Sequence, residues 1–447
     1  MSFWAHAQEA IAYIESRQRF GVKPGLARTR RLLDLLGQPE QALRFAHVAG
    51  TNGKGSTCAM LASVMQAAGY RTGLYTSPYL KAFGDRMSVN GVEITDGELL
   101  AYASRVKSAI DHDTLLQADP PTEFEVTTAI ALLFFQAQEA DIVVWETGLG
   151  GRFDATNVVM PDVTAITNVD LDHTQILGRR VEQIAADKAG IAKCGRVLVT
   201  GATGAALEVI AGIAQTVGAP LRVLGREFRI VIEAGRDFSG QRLSYIGYRS
   251  DWFGLTIRLL GSHQGSNAAI VLAVIEALRE RGFVLSDAAV RAGLSRAQWP
   301  LRMEVLSGDP TVILDGAHNP HGARALAQAL HTLSVKEYVL VTGVLADKDV
   351  AGVLAPLCQK ARAVFATQAH VSRAAPAEFI AQTSRALVRP GTPVRAVPEM
   401  AHCLWQASEL ARATGVCVVV MGTLYTVAEA RKEWLGRPQA NVEARMG

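Results

Sequence analysis

Residues 43–57 read LRFAHVAGTNGKGST, an apolar run that stops at a glycine-studded turn carrying one lysine and then hydroxyl side chains. Gly50, Gly53 and Gly55 let the backbone turn tightly and bring N–H groups close to an anion, while Lys54 adds a positive point charge. Ser56 and Thr57 can serve a metal or phosphates, and CAMLASVMQAAG then continues at helical spacing to Gly69, in the position of a helix C-cap. Strand, loop and helix therefore come in the order that a nucleotide triphosphate site requires. The strict spelling G-x-x-x-x-G-K-[ST] is not met: Val48 occupies the first glycine position and Gly55 follows Lys54. A glycine-rich structural turn with a surface lysine stays open on this stretch alone.

A chain of 447 residues predicts two domains, each large enough to bury its own apolar interior. Hydrophobic residues at 49% and charged residues at 19% describe a soluble globular protein. The net charge of +3 without a polybasic tract argues against nucleic acid or membrane as partner and leaves anionic small substrates open. Cys58, Cys194, Cys358, Cys403 and Cys417 are scattered and never form C-x-x-C, which suits a reducing compartment and supplies no metal framework. The first residues, MSFWAHAQEAIAYIESRQ, carry acids at helical spacing where a signal peptide has a basic and then an apolar run. Apolar runs such as AIALLFF at 129–135 are too short to span a bilayer, so the expected location is cytoplasmic.

Around the cradle, residues 2–18 and 25–36 read as amphipathic helices, the second bringing Arg28, Arg30 and Arg31 together on what looks like a solvated basic face. A strand within 71–80 turns at Ser77-Pro78, and Asn90-Gly91 marks a hairpin. A helix over 120–140 is announced by prolines and Thr122; Glu123 and Glu125 fall in its first turn, where the helix dipole alone accounts for them. The buried-strand run IVVWET ends in Glu146 beside three glycines. A carboxylate there is placed to hold a metal on a bound nucleotide, with a salt-bridged structural glutamate as the alternative. The next strand, in 162–173, ends in Asn168, Asp170, Asp172 and His173, and a helix over 181–193 carries Lys188 in a pattern that reads as solvated.

After a further strand at 196–201, the segments FRIVIE, RLSYIGY and FGLTIRLLG predict a small antiparallel patch on an otherwise parallel sheet. An apolar helix over 263–282 has His263, Gln264 and Asn267 in or before its first turns, and a helix in 286–302 breaks at Trp299-Pro300. The domain boundary is placed there, giving residues 1–298 and 299–447. Beyond it TVILDGAHNPHG, YVLVTGVLADKD, AVFAT and VCVVVMGTLY alternate with helices, which predicts a smaller C-terminal Rossmann-like α/β domain whose first strand ends in Asp315, with His318 and Asn319 following. No G-x-G-x-x-G follows a strand, so dinucleotide binding is not indicated. The tail GRPQANVEARMG, 436–447, is expected to be poorly ordered.

Taken together, HVAGTNGKGST (47–57), TSPYL (76–80), TEFEVTTA (122–129), ETGLGGRFDATN (146–157), ITNVDLDHTQILG (166–178), DKAGI (187–191), GSHQGSNAA (261–269), LDGAHNP (314–320) and MGTLY (421–425) resemble the folylpolyglutamate synthase/dihydrofolate synthases of the Mur ligase superfamily. The likeness covers roughly residues 25–425 and implies a P-loop Mur-ligase-type ATPase domain followed by a Rossmann-like ligase domain. It further implies an ATP-dependent amide ligase with two Mg²⁺ ions, acting as a monomer on L-glutamate and 7,8-dihydropteroate or reduced folates. By the same resemblance Asn52, Gly53, Lys54, Gly55 and Ser56 hold the phosphates; Asn267, Arg302 and Asp315 hold base, phosphates and ribose; and His318 faces the reaction. Ser77, Glu146 and His173 match the ligands of one Mg²⁺, and Lys188 matches the lysine that is carbamylated to hold the second. Gly25, Leu26, Arg28, Thr122, Glu123, Phe124, Glu125, Phe153, Asp154 and Ala155 match the pteroate side. Three positions depart from the family's pattern: Asp187 for Glu before the lysine, Leu301 for Gly before Arg302, and GDRMSVNG for a loop that more often carries Glu-Arg-Ile. A synthase with one of the two activities, a Mur peptide ligase and a non-catalytic P-loop switch are the alternative readings.

Overall fold

A computed structural model describes residues 4–21, 23–79, 82–233, 238–371 and 373–437. Leu80 of TSPYL and residues 438–447 of the tail lie outside the described residues. The chain forms two compact units, one from the residues up to Glu233 with 241–258 and 263–298, the other from Trp299 onward with 259–262.

In the first unit the strands are β1 (Phe45–Ala49), β2 (Thr72–Tyr75), β3 (Met87–Val89), β4 (Val92–Glu93), β5 (Ile142–Glu146), β6 (Val163–Ile166), β7 (Val197–Thr200) and β8 (Leu221–Val223), in the spatial order β4-β3-β2-β5-β1-β6-β7-β8. From β2 to β8 every pairing is parallel, and β3 and β4 add an antiparallel edge hairpin. Every residue of β1, β5 and β6 is buried, as strands covered on both faces require. At the hairpin, Asn90 and Gly91 have φ of 49° and 80°, the pair of left-handed residues that a tight two-residue turn needs. The helix Glu123–Ala137 is buried along nearly its whole length. It packs Phe135 so closely on Gly73 of β2 that a Cβ there would lie 2.8 Å from the ring.

The expected antiparallel patch stands as a sheet of its own, made of β9 (Arg229–Glu233), β10 (Gln241–Ile246) and β11 (Asp251–Ile257). β10 turns Leu243 and Tyr245 inward, and the Tyr245 hydroxyl donates to the buried Glu276 at 2.7 Å on the helix Ser262–Glu280. That attachment keeps this little sheet on the helix that carries Gln264 and Asn267.

The second unit has six strands, β12 (Glu304–Leu306), β13 (Val312–Asp315), β14 (Tyr338–Gly343), β15 (Ala361–Ala366), β16 (Val394–Ala396) and β17 (Cys417–Gly422), in the order β12-β13-β17-β14-β15-β16. All pairings are parallel except that of the edge strand β12. Four of these strands are the apolar runs of the sequence. β12 and β16 are half-buried edges of three residues each, and neither EVL nor VRA offers a run to read. Ile313, Leu340, Val364 and Val419 meet in the core of this sheet. Among the described residues, no helix is long and apolar enough to cross a membrane.

Candidate active site

Parallel pairing brings three strand ends side by side: Val48 of β1 lies opposite Glu146 of β5, and Ala49 opposite Ile166 of β6. The loop 50–53 leaves β1 at this edge and enters the helix Lys54–Ala67. Its course is dictated by the residues after β6. Thr51 N donates to Asn168 O and Asn52 N to Asn168 Oδ1, both at 3.0 Å, while Asn52 O accepts from Thr167 Oγ1 at 2.6 Å and from Asn168 Nδ2 at 3.0 Å. Gly50 has φ +153° and a Cβ there would fall 1.8 Å from Thr167 Oγ1. Gly53 has φ +82° and lies against Asn267, whose Oδ1 would be 2.5 Å from an added Cβ. The glycines are thus required for close approach as well as for turning. On the other side, Gln264 Nε2 donates to Ser56 Oγ at 3.2 Å and Gln264 Oε1 accepts from Asn267 Nδ2 at 3.0 Å. Gln264 is buried and sets the orientation of the Asn267 amide; its place three residues before Asn267, on one helix face, was the available signal for that role.

Two lysines converge on one carbonyl. Lys54 Nζ lies 3.3 Å from Gly50 O and 3.9 Å from Glu146 Oε1, and Lys188 Nζ donates to the same Gly50 O at 2.9 Å. The reading of Lys188 as solvated is corrected here: it is 4% exposed, because its helix, Val181–Ala189, turns it inward toward the loop after β1. Burial, with the Lys54 charge adding to it, pushes the Lys188 ammonium down to about 7. A buried amine near neutrality has a substantial uncharged fraction, the form that reacts as a nucleophile.

Glu146 accepts from Ser77 N at 3.3 Å and is buried at the end of β5. His173 has φ 49°, a half-exposed ring, and its Nε2 at 4.0 Å from Asp172 Oδ1. Among the described residues no three His, Cys, Asp or Glu side chains gather at metal-binding distance. Glu146 is a hard-oxygen donor 3.9 Å from Lys54 at the head of the helix that follows the loop 50–53, which fits a Mg²⁺ ion that completes its shell with phosphate oxygens and water.

The residues that the resemblance gives to the pteroate are engaged with one another. Thr122 caps the helix Glu123–Ala137 in a reciprocal box with Glu125, at 3.3 and 2.7 Å. Glu125 also accepts from Arg28 Nε at 3.1 and 3.2 Å, and Arg28 reaches Asp119 at 2.9 Å. Arg28 is therefore a paired, largely buried arginine and not part of a solvated face. Gly25, at φ +120°, and Leu26 lead into its helix, Ala27–Leu35. Glu123 pairs with Arg86 at 2.9 Å, which gives the GDRMSVNG loop a hold on the same helix. The Phe124 ring lies so close to Gly148 that a Cβ there would come within 2.5 Å of it. Asp154 is buried between Leu149 N at 2.8 Å and Thr156 N at 3.0 Å, Ala155 is buried, and Phe153 is 47% exposed.

In the second unit Asp315 ends β13 and accepts from Met303 N at 2.9 Å; burial pushes its carboxyl up, against the pull of the Arg302 charge. Arg302 Nη1 donates to Gly316 O at 3.0 Å, and His318 Nδ1 lies 2.9 Å from the same oxygen, which places the ring proton on Nδ1. Leu301 and Met303 have φ of 61° and 50°. Leu301 thus adopts the left-handed backbone that glycine takes most readily, which is the residue the resemblance expects there.

Residues 48–275 match the Mur ligase middle domain and residues 301–424 the Mur ligase glutamate ligase domain. A dihydrofolate synthase/folylpolyglutamate synthase of Bacillus subtilis (strain 168) is 37% identical over 437 residues, 95% of this chain and 98% of that one. Among solved structures, Mycobacterium tuberculosis folylpolyglutamate synthase complexed with ADP and AMPPCP superposes with a TM-score of 0.89 at 32% identity, over 97% of this chain and 99% of that chain. A bifunctional folylpolyglutamate synthase/dihydrofolate synthase of Yersinia pestis, complexed with AMPPNP and Mn ion, gives a TM-score of 0.84 at 32% identity, over 96% and 98%.

Proposed function

The chain belongs to the Mur ligase family, and within it to the dihydrofolate synthase/folylpolyglutamate synthases; from that membership we propose that it joins L-glutamate to 7,8-dihydropteroate and extends reduced folates by γ-linked glutamates. The observation that carries this beyond the family name is the pairing of a backbone phosphate cradle with Lys54, 3.9 Å from the buried Glu146 at the adjoining strand end. A carboxylate does not condense with an amine in water unless it is first activated. Here an oxygen of the substrate carboxylate attacks the γ-phosphorus of ATP, the bond from that phosphorus to the bridging oxygen breaks, and ADP leaves. The amine nitrogen of glutamate then attacks the acyl carbon; the C–N bond forms, phosphate departs, and the amine loses a proton.

Each residue has a role in that sequence. The N–H groups of 53–56 and the Lys54 charge oppose the charge on the moving phosphoryl group, at a site where the donors are already oriented. A bound Mg²⁺ would supply further neutralisation of the phosphates. Ser77, Glu146 and His173 are the residues assigned to hold it, and Lys188, if carbamylated, the second ion. Gln264 holds Asn267 for the nucleotide base, and in the second unit Arg302 and Asp315 are assigned to ATP and His318 to the reacting groups. Phe124 offers a ring face for the pterin or aminobenzoyl group, a contact worth about 1 kcal/mol.

The test is glutamate-dependent ADP release by the purified protein with Mg-ATP and dihydropteroate, followed by mass spectrometry of the products with dihydropteroate and then with reduced folates. Absence of ADP release with every pteroate and folate would sink the ligase reading. A single glutamate added in all cases would restrict the function to dihydrofolate synthesis. Lys188→Ala is expected to lose turnover and to regain part of it with acetate or another short carboxylate; unchanged activity would remove that lysine from the mechanism.

A further inference from the structure

The strand that leads into the phosphate cradle carries a buried histidine whose contacts run elsewhere. His47 is fully buried in the middle of β1, opposite Trp145 of β5 and Thr164 of β6. Its Nε2 is 2.9 Å from Thr156 Oγ1, and its Nδ1 has no hydrogen-bond partner among the described residues. Thr156 Oγ1 is in turn in short contact with Asp154 Oδ1. Asp154 Oδ1 also accepts from Thr156 N at 3.0 Å and Oδ2 from Leu149 N at 2.8 Å, while the Trp145 indole N–H pins Thr156 O at 2.9 Å.

A hydroxyl has one hydrogen, so these contacts have a direction. Pointed at the carboxylate, the Thr156 hydrogen leaves its oxygen to accept from the imidazole. His47 then holds its proton on Nε2 and leaves only a bare lone pair at Nδ1. With Asp154 as the carboxylate that the Leu149 and Thr156 N–H groups favour against the upward push of its burial, the opposite tautomer would strand an N–H donor inside the sheet and set oxygen lone pairs against each other, which costs the desolvation of a buried donor without compensation. Burial and the Lys193 charge push His47 down to about 3, so the ring is neutral as the relay requires.

We propose that His47 is a positioning residue for the pteroate: by donating Nε2–H to Thr156 it aims that hydroxyl at Asp154 and fixes the carboxylate inside the loop 148–157. The inference rests on the assignment of this loop to the pteroate. Thr156 is the same kind of residue, acting from within the loop. The cradle is braced by Thr167 and Asn168 instead, so ATP binding does not depend on the relay.

Steady-state kinetics on His47→Leu, Thr156→Val, the double variant and His47→Gln test this, with thermal melts as the check on folding. Each single change is expected to raise the KM for dihydropteroate about tenfold with the KM for ATP within about twofold, and the double variant to be no worse than the worse single one. His47→Gln, which keeps an N–H donor at similar reach, is expected to retain most of the wild-type KM. Equal rises in both KM values, an additive double variant or an unchanged pteroate KM would overturn the relay. Nitrogen NMR of His47 in the wild-type protein reads the hydrogen-bond direction without any turnover: a neutral Nε2–H ring supports it, and an Nδ1–H ring contradicts it. Wild-type turnover with dihydropteroate tests the parent reading separately, so the two failures are distinguishable.

Discussion

The phosphate cradle and the side chains proposed for the pteroate sit in the same unit and are built by opposite means. In the cradle the working groups are backbone N–H and C=O, braced by the backbone and short side chains of 167–168. In the second region the side chains hold each other: Glu125 with Arg28 and Thr122, Glu123 with Arg86, Asp154 with Thr156. A backbone site tolerates almost no added atom but is indifferent to most side chains that point away. A side-chain lattice tolerates added volume better and fails when one partner is removed, because the other is left buried and unpaired.

The sharpest way to break the first kind is Gly50→Ala, which places a Cβ 1.8 Å from Thr167 Oγ1. We expect it to cost more than about 3 kcal/mol by thermal or urea unfolding and to abolish nucleotide binding, since the clash falls on the hydroxyl that holds Asn52 O. For the second kind, Glu125→Ala removes a cap partner and one side of the Arg28 pair, and is expected to cost about 2 kcal/mol while leaving ATP binding intact. Equal loss of ATP binding in that variant would show that the two regions are one cooperative element. Leu301→Gly asks the glycine question in the second unit, where relief of a left-handed Leu gains about 1 kcal/mol and loss of its buried side chain costs about 3. A net loss of stability is expected, and a gain would mean that backbone strain dominates there.

Near neutral pH the smallest effect is one of protonation, and it grows as the pH falls. His47 is held near 3 in the folded chain against 6.5 unfolded. Between those values the unfolded chain binds the extra proton, so folding stability falls as pH drops through 6.5 toward 3. His47→Leu is expected to show a shallower acid-side decline of melting temperature than the wild-type protein, and an identical slope would argue that His47 is protonated in the folded state.

Much of the architecture was legible because it follows from local pattern. Continuous apolar runs mark β1, β5 and four strands of the second unit, Asn90-Gly91 marks its hairpin, and glycines 50 and 53 mark the cradle, each for a reason contained within a few residues. β12 and β16 escaped because a three-residue edge strand is made by its neighbour and not by its own sequence.

Lys188 shows the limit for side chains. Its helix alternates polar and apolar residues and gave no sign that the lysine would be buried on the Gly50 carbonyl, since that depends on which face the sheet presents to the helix. Arg28 and His47 are alike in this respect: the acids that Arg28 meets lie 91 and 97 positions away along the chain, and the hydroxyl that His47 meets lies 109 away. The sequence alone determined the two α/β patterns, the phosphate cradle and the family motifs, because turn chemistry and hydrophobic period are short-range. Only the tertiary structure decided which ionisable groups are paired, buried or aimed, because the free energy of a buried charge depends on neighbours that the chain brings together by folding.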